Sequence, residues 1–142
     1  MTDTIKLLRE CNAGIKMGEA ALRQVIPHVR DKQLKSTLIE SKKEHTKLAD
    51  EVKMQLHKQG ADTKNAHRIA QAMSTVKIYG SLIIQDSDSK IADLMTDGCD
   101  MGIKFLNKYM NQYKGADDES RDLTKRIIES EECLEVDLRG YL

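Results

Sequence analysis

Apolar residues recur along this chain at the three-and-four spacing that marks one face of an α-helix. Over residues 2–29 the stripe is Ile5, Leu8, Ile15, Leu22, Val25 and Ile26. Thr2 or Asp3 suits its N-cap, and Pro27 kinks or stops it. A second stripe over residues 31–59 runs through Leu34, Leu38, Leu48, Val52 and Leu56, with Gly60 as a C-terminal stop. So few residues separate the two that they must fold back as an antiparallel hairpin. A third helix is predicted over 89–114, ended by Gly115, with Ile91, Leu94, Met101, Phe105 and Tyr109 inward. The last starts at Asp117, Asp118 or Ser120 and turns Leu123, Ile127, Leu134, Leu138 and Leu142 inward. A shorter helix, 65–85, with Ile69, Met73, Val76 and Ile83 on its stripe, lies between the second and third.

The pattern therefore predicts an all-α, single-domain bundle over residues 1–142, with four long helices of about 25 residues, each near 40 Å. If the short helix runs back along the bundle, the second and third long helices are parallel, giving two antiparallel hairpins joined by one crossover.

Two stripes are interrupted by polar residues. Stepping by threes and fours along the first helix reaches Asn12 and Glu19; along the second it reaches Ser41 and His45. A buried polar group costs several kcal/mol unless it is paired or coordinated. With the turn near Arg30, residues 41, 42 and 45 come level with Glu19, within one helical turn.

Composition narrows the function classes. Apolar residues make up 39% and charged residues 32%, with one Pro and no Trp, which favours helices over strands. The 23 basic and 23 acidic residues are interspersed and cancel, which argues against a nucleic-acid partner or an anionic membrane surface. No apolar run approaches ~20 residues, so no membrane span is expected. Cys11, Cys99 and Cys133 are odd in number and widely spaced, the pattern of reduced thiols in a cytoplasmic protein. Cys99 lies beside Asp97 and Asp100, whose charges raise a thiol's pKa, so a nucleophilic role is not expected. His28, His57 and His67 suit structural positions, and neither a His-Glu-x-x-His motif nor a glycine-rich phosphate loop is present. Gly98 and Gly102, one turn apart, suit close helix packing.

Gly18-Glu19 on the first helix and Lys42-Lys43-Glu44-His45 on the second resemble the first half of a ferritin-like, rubrerythrin-type protein. The resemblance extends by helix length and connectivity over most of the chain, and its nearest counterparts are small bacterial bundles without an assigned activity. It implies a carboxylate-bridged di-iron site built from a Glu on the first and third helices and Glu-x-x-His on the second and fourth. This chain departs from that set. Lys42 stands where the second helix needs its Glu, the stretch Asp97-Gly98-Cys99-Asp100 offers no Glu, and Leu134 replaces the last histidine. Glu19 and His45 match outright, with Glu131 as a third.

A di-iron centre needs about four carboxylates to offset its charge, and Lys42 brings a positive charge to its place. The expectation is thus a degenerate site without metal or other cofactor, in which Glu19 and Lys42 form a buried or half-buried ion pair. The role expected is that of a non-catalytic structural or interaction module, with a homodimer as one possible assembly; seven Met suit adaptable surfaces. The alternative is an iron- or manganese-binding oxidoreductase or iron-handling protein using Glu19, His45, Asp97 and Glu131. A sensor holding a small apolar ligand between helices is a third option.

Overall fold

The computed structural model describes residues 1–63 and 87–142. The predicted 65–85 helix, with His67, falls outside them. Four α-helices fill the rest: α1 (Asp3–Val25), α2 (Lys32–Lys58), α3 (Asp88–Gln112) and α4 (Asp118–Leu138). Short 3-10 turns at Ile26–His28 and Arg139–Tyr141 follow α1 and α4.

Each helix begins on a short polar side chain that takes up an otherwise orphaned N–H. Thr2 accepts from Ile5, Asp31 from Leu34, Ser87 from Lys90 and Asp117 from Ser120. Pro27 converts the end of α1 into a 3-10 turn. At the end of α2, Gly60 takes φ +70, so that its N–H reaches the His57 carbonyl and the Ala61 N–H reaches that of Leu56. Only glycine adopts that left-handed turn without strain.

Side chain to backbone bonds tie the two hairpins together at both ends. At one end the Asp88 carboxylate, on the first turn of α3, accepts the Arg30 and Asp31 N–H groups of the α1–α2 turn, both at 2.8 Å. Tyr141 donates to Asp31 there as well. At the other end Asp3 accepts the Gly115 N–H at 2.8 Å, and Thr4 accepts that of Asp117 at 2.9 Å. These contacts fix the directions: α1 runs antiparallel to α2, and α3 to α4. The pairs α1–α2 and α3–α4 pack most heavily, with α2 on α4 and α1 on α3 closing the square.

The core is divided. A lower cluster gathers Leu7, Leu8, Ile15, Leu48, Val52, Leu106 and Ile127. An upper one gathers Leu22, Leu34, Leu38, Ile91, Leu134 and Leu138. Each fully buried Leu or Ile contributes about 1.5–3 kcal/mol. The level between the clusters is the one that carries Glu19, His45, Gly102 and Glu131.

The phase of α3 differs from the predicted one. Its buried residues are Ile91, Ala92, Met95, Cys99, Leu106 and Met110. Leu94 and Tyr109 are half-buried, while Met101 and Phe105 lie on the surface. Leu142 is exposed too.

Candidate functional site

His45 is the centre of the polar level. It sits on α2 between Ser41 and Leu48 and is 2% exposed. Its Nδ1 is 2.7 Å from the Ser41 carbonyl oxygen, and its Nε2 is 2.7 Å from Glu131 Oε1 on α4. A carbonyl only accepts, so Nδ1 carries a proton. The second proton lies between Nε2 and the Glu131 carboxylate. Burial opposes a charged imidazole here. The hydrogen bond to Glu131 and its charge, with the Ser41 carbonyl and the Glu19 charge, outweigh burial and hold His45 above its ordinary pKa.

Gly18 makes room for this arrangement. A Cβ at that position would stand 2.8 Å from both Cδ2 and Nε2 of His45, against that edge of the ring. Gly102 plays a lesser part from α3, where a Cβ would approach Glu131 Cγ to 4.0 Å. The level is thus narrow: the imidazole packs against bare backbone of α1 and bonds to its own helix through Ser41 and to α4 through Glu131.

Glu19 is inward, as its place on the stripe implies, and 8% exposed. The expected ion pair with Lys42 is absent. Lys42 is half-buried and lies beyond ion-pair distance, whereas Lys16, one turn before Glu19 on α1, stands 3.6 Å from Glu19 Oε1. An i,i+3 pair within a helix forms without turning the α2 lysine into the core, where its charge would lose hydration. Thr46 donates to Glu19 Oε2 at 3.4 Å, and Oε1 is buried without a hydrogen-bond partner. Asp97 does not join the group. It is exposed on α3, and the residue that α3 turns inward at this level is Cys99.

Cys99 lies beside Glu131 and is 1% exposed. Burial, followed by the charges of Glu131, Glu135 and Asp100, raises its thiol far above the usual range. Cys11 is likewise pushed up to about 12, chiefly by burial, and contacts Thr124 Oγ1 at 3.2 Å. Both thiols stay protonated and are poor nucleophiles. A proton shared with Asp100, then burial, pushes Glu135 up to about 7.

The group holds a proton between His45 and Glu131, and His45 itself is buried. The candidate ligands His45 and Glu131 are engaged with one another in this arrangement. His45 Nε2 is taken by Glu131, Nδ1 faces a carbonyl, and Glu19 has a lysine beside one oxygen. Among the described residues no three His, Cys, Asp or Glu side chains converge on a point that would hold a cation. A cleft of about 370 Å³ opens between α2 and α4, over Ser41 and Leu134. Glu40, Glu44 and Asp137 stand on its walls, a poor lining for the apolar ligand of a sensor. No described helix is long and apolar enough to cross a membrane.

The chain matches no protein-family model, no curated protein and no solved structure. The site must therefore be judged on its own chemistry.

Proposed function

We propose that this chain is a non-catalytic helical bundle of ferritin-like connectivity that works as an interaction module, with a proton-sharing His45–Glu131 pair in place of a metal centre. The observation that carries the proposal is the 2.7 Å contact of His45 Nε2 with Glu131 Oε1, made against the bare backbone of Gly18. In the ferritin-like pattern these two side chains are metal ligands. Here each satisfies the other, so the centre needs no cation to offset its buried carboxylate. The two buried thiols, Cys11 and Cys99, stay protonated and His45 is closed off from the surface, which supports a centre without a nucleophile or an accessible base.

A second reading rests on one observation, the buried Glu19 Oε1 without a hydrogen-bond partner. An iron or manganese ion held by Glu19, His45 and Glu131 would satisfy it, provided the His45–Glu131 contact opened. Elemental analysis by plasma mass spectrometry, before and after incubation with ferrous iron, separates the two. The module reading expects negligible metal and a melting temperature that EDTA leaves unchanged. Iron or manganese near one or two per chain sinks it and installs the second.

A further inference from the structure

Helix α3 turns a face outward that no other described helix covers. Gly98, Met101 and Phe105 lie on that face, with Met101 43% and Phe105 40% exposed. A Cβ at Gly98 would meet no atom within 4 Å. Beside them run Asp93, Asp97, Lys104 and Lys108, all exposed, and none of the four makes an ion pair among the described residues. At 3.6 residues per turn these seven side chains occupy an arc of about 140°.

The order of the charges is symmetric. Asp93 and Lys108 are equidistant from the point midway between Asp100 and Met101, and so are Asp97 and Lys104. Suppose two copies of α3 meet antiparallel about a two-fold axis through that point. Each flank of one helix then faces the same flank of the other. Asp93 comes level with Lys108 of the second copy, and Asp97 with Lys104 of the second copy, and symmetry repeats both pairs. The two Met101 side chains meet beside the axis. Phe105 falls about 3 Å along from Gly98 of the second copy, on the side of its Leu94, where the missing side chain leaves a hole. Only this register pairs all four charges; sliding by one turn leaves at least one of them without its opposite.

We infer that the partner of this face is a second copy of the chain, forming an antiparallel homodimer through α3. The inference rests on the module reading in one respect: a bundle without chemistry acts through a surface, and this is the surface. Sedimentation equilibrium of the full chain up to about 100 µM, a range that detects micromolar association, is the test. The parent is expected to be dimeric. Asp97→Lys replaces two attractive contacts by two repulsive ones and weakens the dimer about tenfold or more, as does Lys104→Asp. The double variant Asp97→Lys/Lys104→Asp swaps the charges and recovers most of the parent's association. Circular dichroism melts confirm that these surface variants stay folded. A monomeric parent overturns the inference. So does a dimer indifferent to the single reversals, or one that the double variant fails to restore. Metal content is measured independently, so loss of the dimer leaves the metal-free centre standing, and a metal-loaded dimer does the reverse.

Discussion

The two glycines of α1 give opposite answers to the same substitution. Alanine is favoured over glycine by about 1 kcal/mol at an exposed position inside a helix. Gly14 is such a position, with no atom within 4 Å of a built Cβ, so Gly14→Ala should stabilise the fold by up to about 1 kcal/mol. At Gly18 the same Cβ presses on the His45 ring from 2.8 Å, and the ring cannot retreat without breaking a bond to Ser41 or to Glu131. Gly18→Ala should therefore destabilise by about 1–3 kcal/mol, the usual cost of overpacking. Urea denaturation of the two variants, measured together, checks the contrast, and equal effects would mean that the ring does not fill this space. The proton of His45 has its own signature. Its folded pKa lies above the unfolded value of about 6.5, so the pair stabilises fully below that pH and loses its contribution as pH rises through the folded value. Glu135, raised to about 7 beside Asp100, acts in the same direction because its acid form is favoured in the fold. The melting temperature should fall as pH rises from slightly acid to alkaline. Glu131→Gln should remove the His45 part of that fall and Glu135→Gln the rest. An NMR titration in which the parent's His45 behaves like a free histidine would contradict this account of its surroundings, which include Glu131 on α4, Glu19 on α1 and Ser41 on α2.

Among the elements, the joint between the hairpins rests on Asp88. One carboxylate on α3 receives two backbone N–H groups from the α1–α2 turn, bonds of 2.8 Å that involve a charged acceptor. Asp88→Ala leaves both donors to water and should cost about 1–3 kcal/mol. Hydrogen exchange at the Arg30 and Asp31 amides should speed up in that variant while the mid-helix amides of α2 keep their protection. The helices themselves were legible in the sequence because their caps and stops are local: Thr2, Asp31, Pro27, Gly60 and Asp117 act within one turn of where they stand. The inward faces of α1 and α2 were legible too, down to Glu19 and His45, since each stripe there is flanked by charged residues. The face of α3 was not. Met101 and Phe105 are as apolar as any core residue, and the three-and-four walk from Ile91 passes through them as readily as through Met95, Cys99 and Leu106. Periodicity finds a stripe; it does not say whether the stripe faces its own bundle or another surface. The ion pair of Glu19 failed for a related reason. Level along the axis put Lys42 close enough, but the rotation of α2 about its own axis, set by Leu38, His45 and Leu48, turns that lysine away. Glu131 was in view only through its place in a family pattern, and nothing local in α4 marks its meeting with His45, which comes from a helix 86 positions away.

At the scale of the whole molecule, the polar level is a choice made against stability. It separates two apolar clusters that would otherwise form one continuous core. A buried pair of this kind is costly to break and cheap to replace: removing one partner strands the other, while exchanging both for apolar residues of similar size is commonly neutral or stabilising. Glu131→Leu alone should cost about 2–4 kcal/mol, the lower half of that range reflecting the partial exposure of Glu131. His45→Leu/Glu131→Leu should recover most of the loss or exceed the parent, because leucines at both places would join the lower cluster at Leu48 to the upper one at Leu134. Denaturant unfolding of the parent, the two single variants and the double variant forms a cycle that yields the coupling between the residues directly. A strongly coupled pair whose joint removal raises stability is not retained for holding the fold together. Its value would then lie in fixing one arrangement of the four helices, with Glu131 able to meet only one histidine and Gly18 able to admit only one ring. A double variant that instead unfolds would make the pair a structural necessity and leave the division of the core as its consequence.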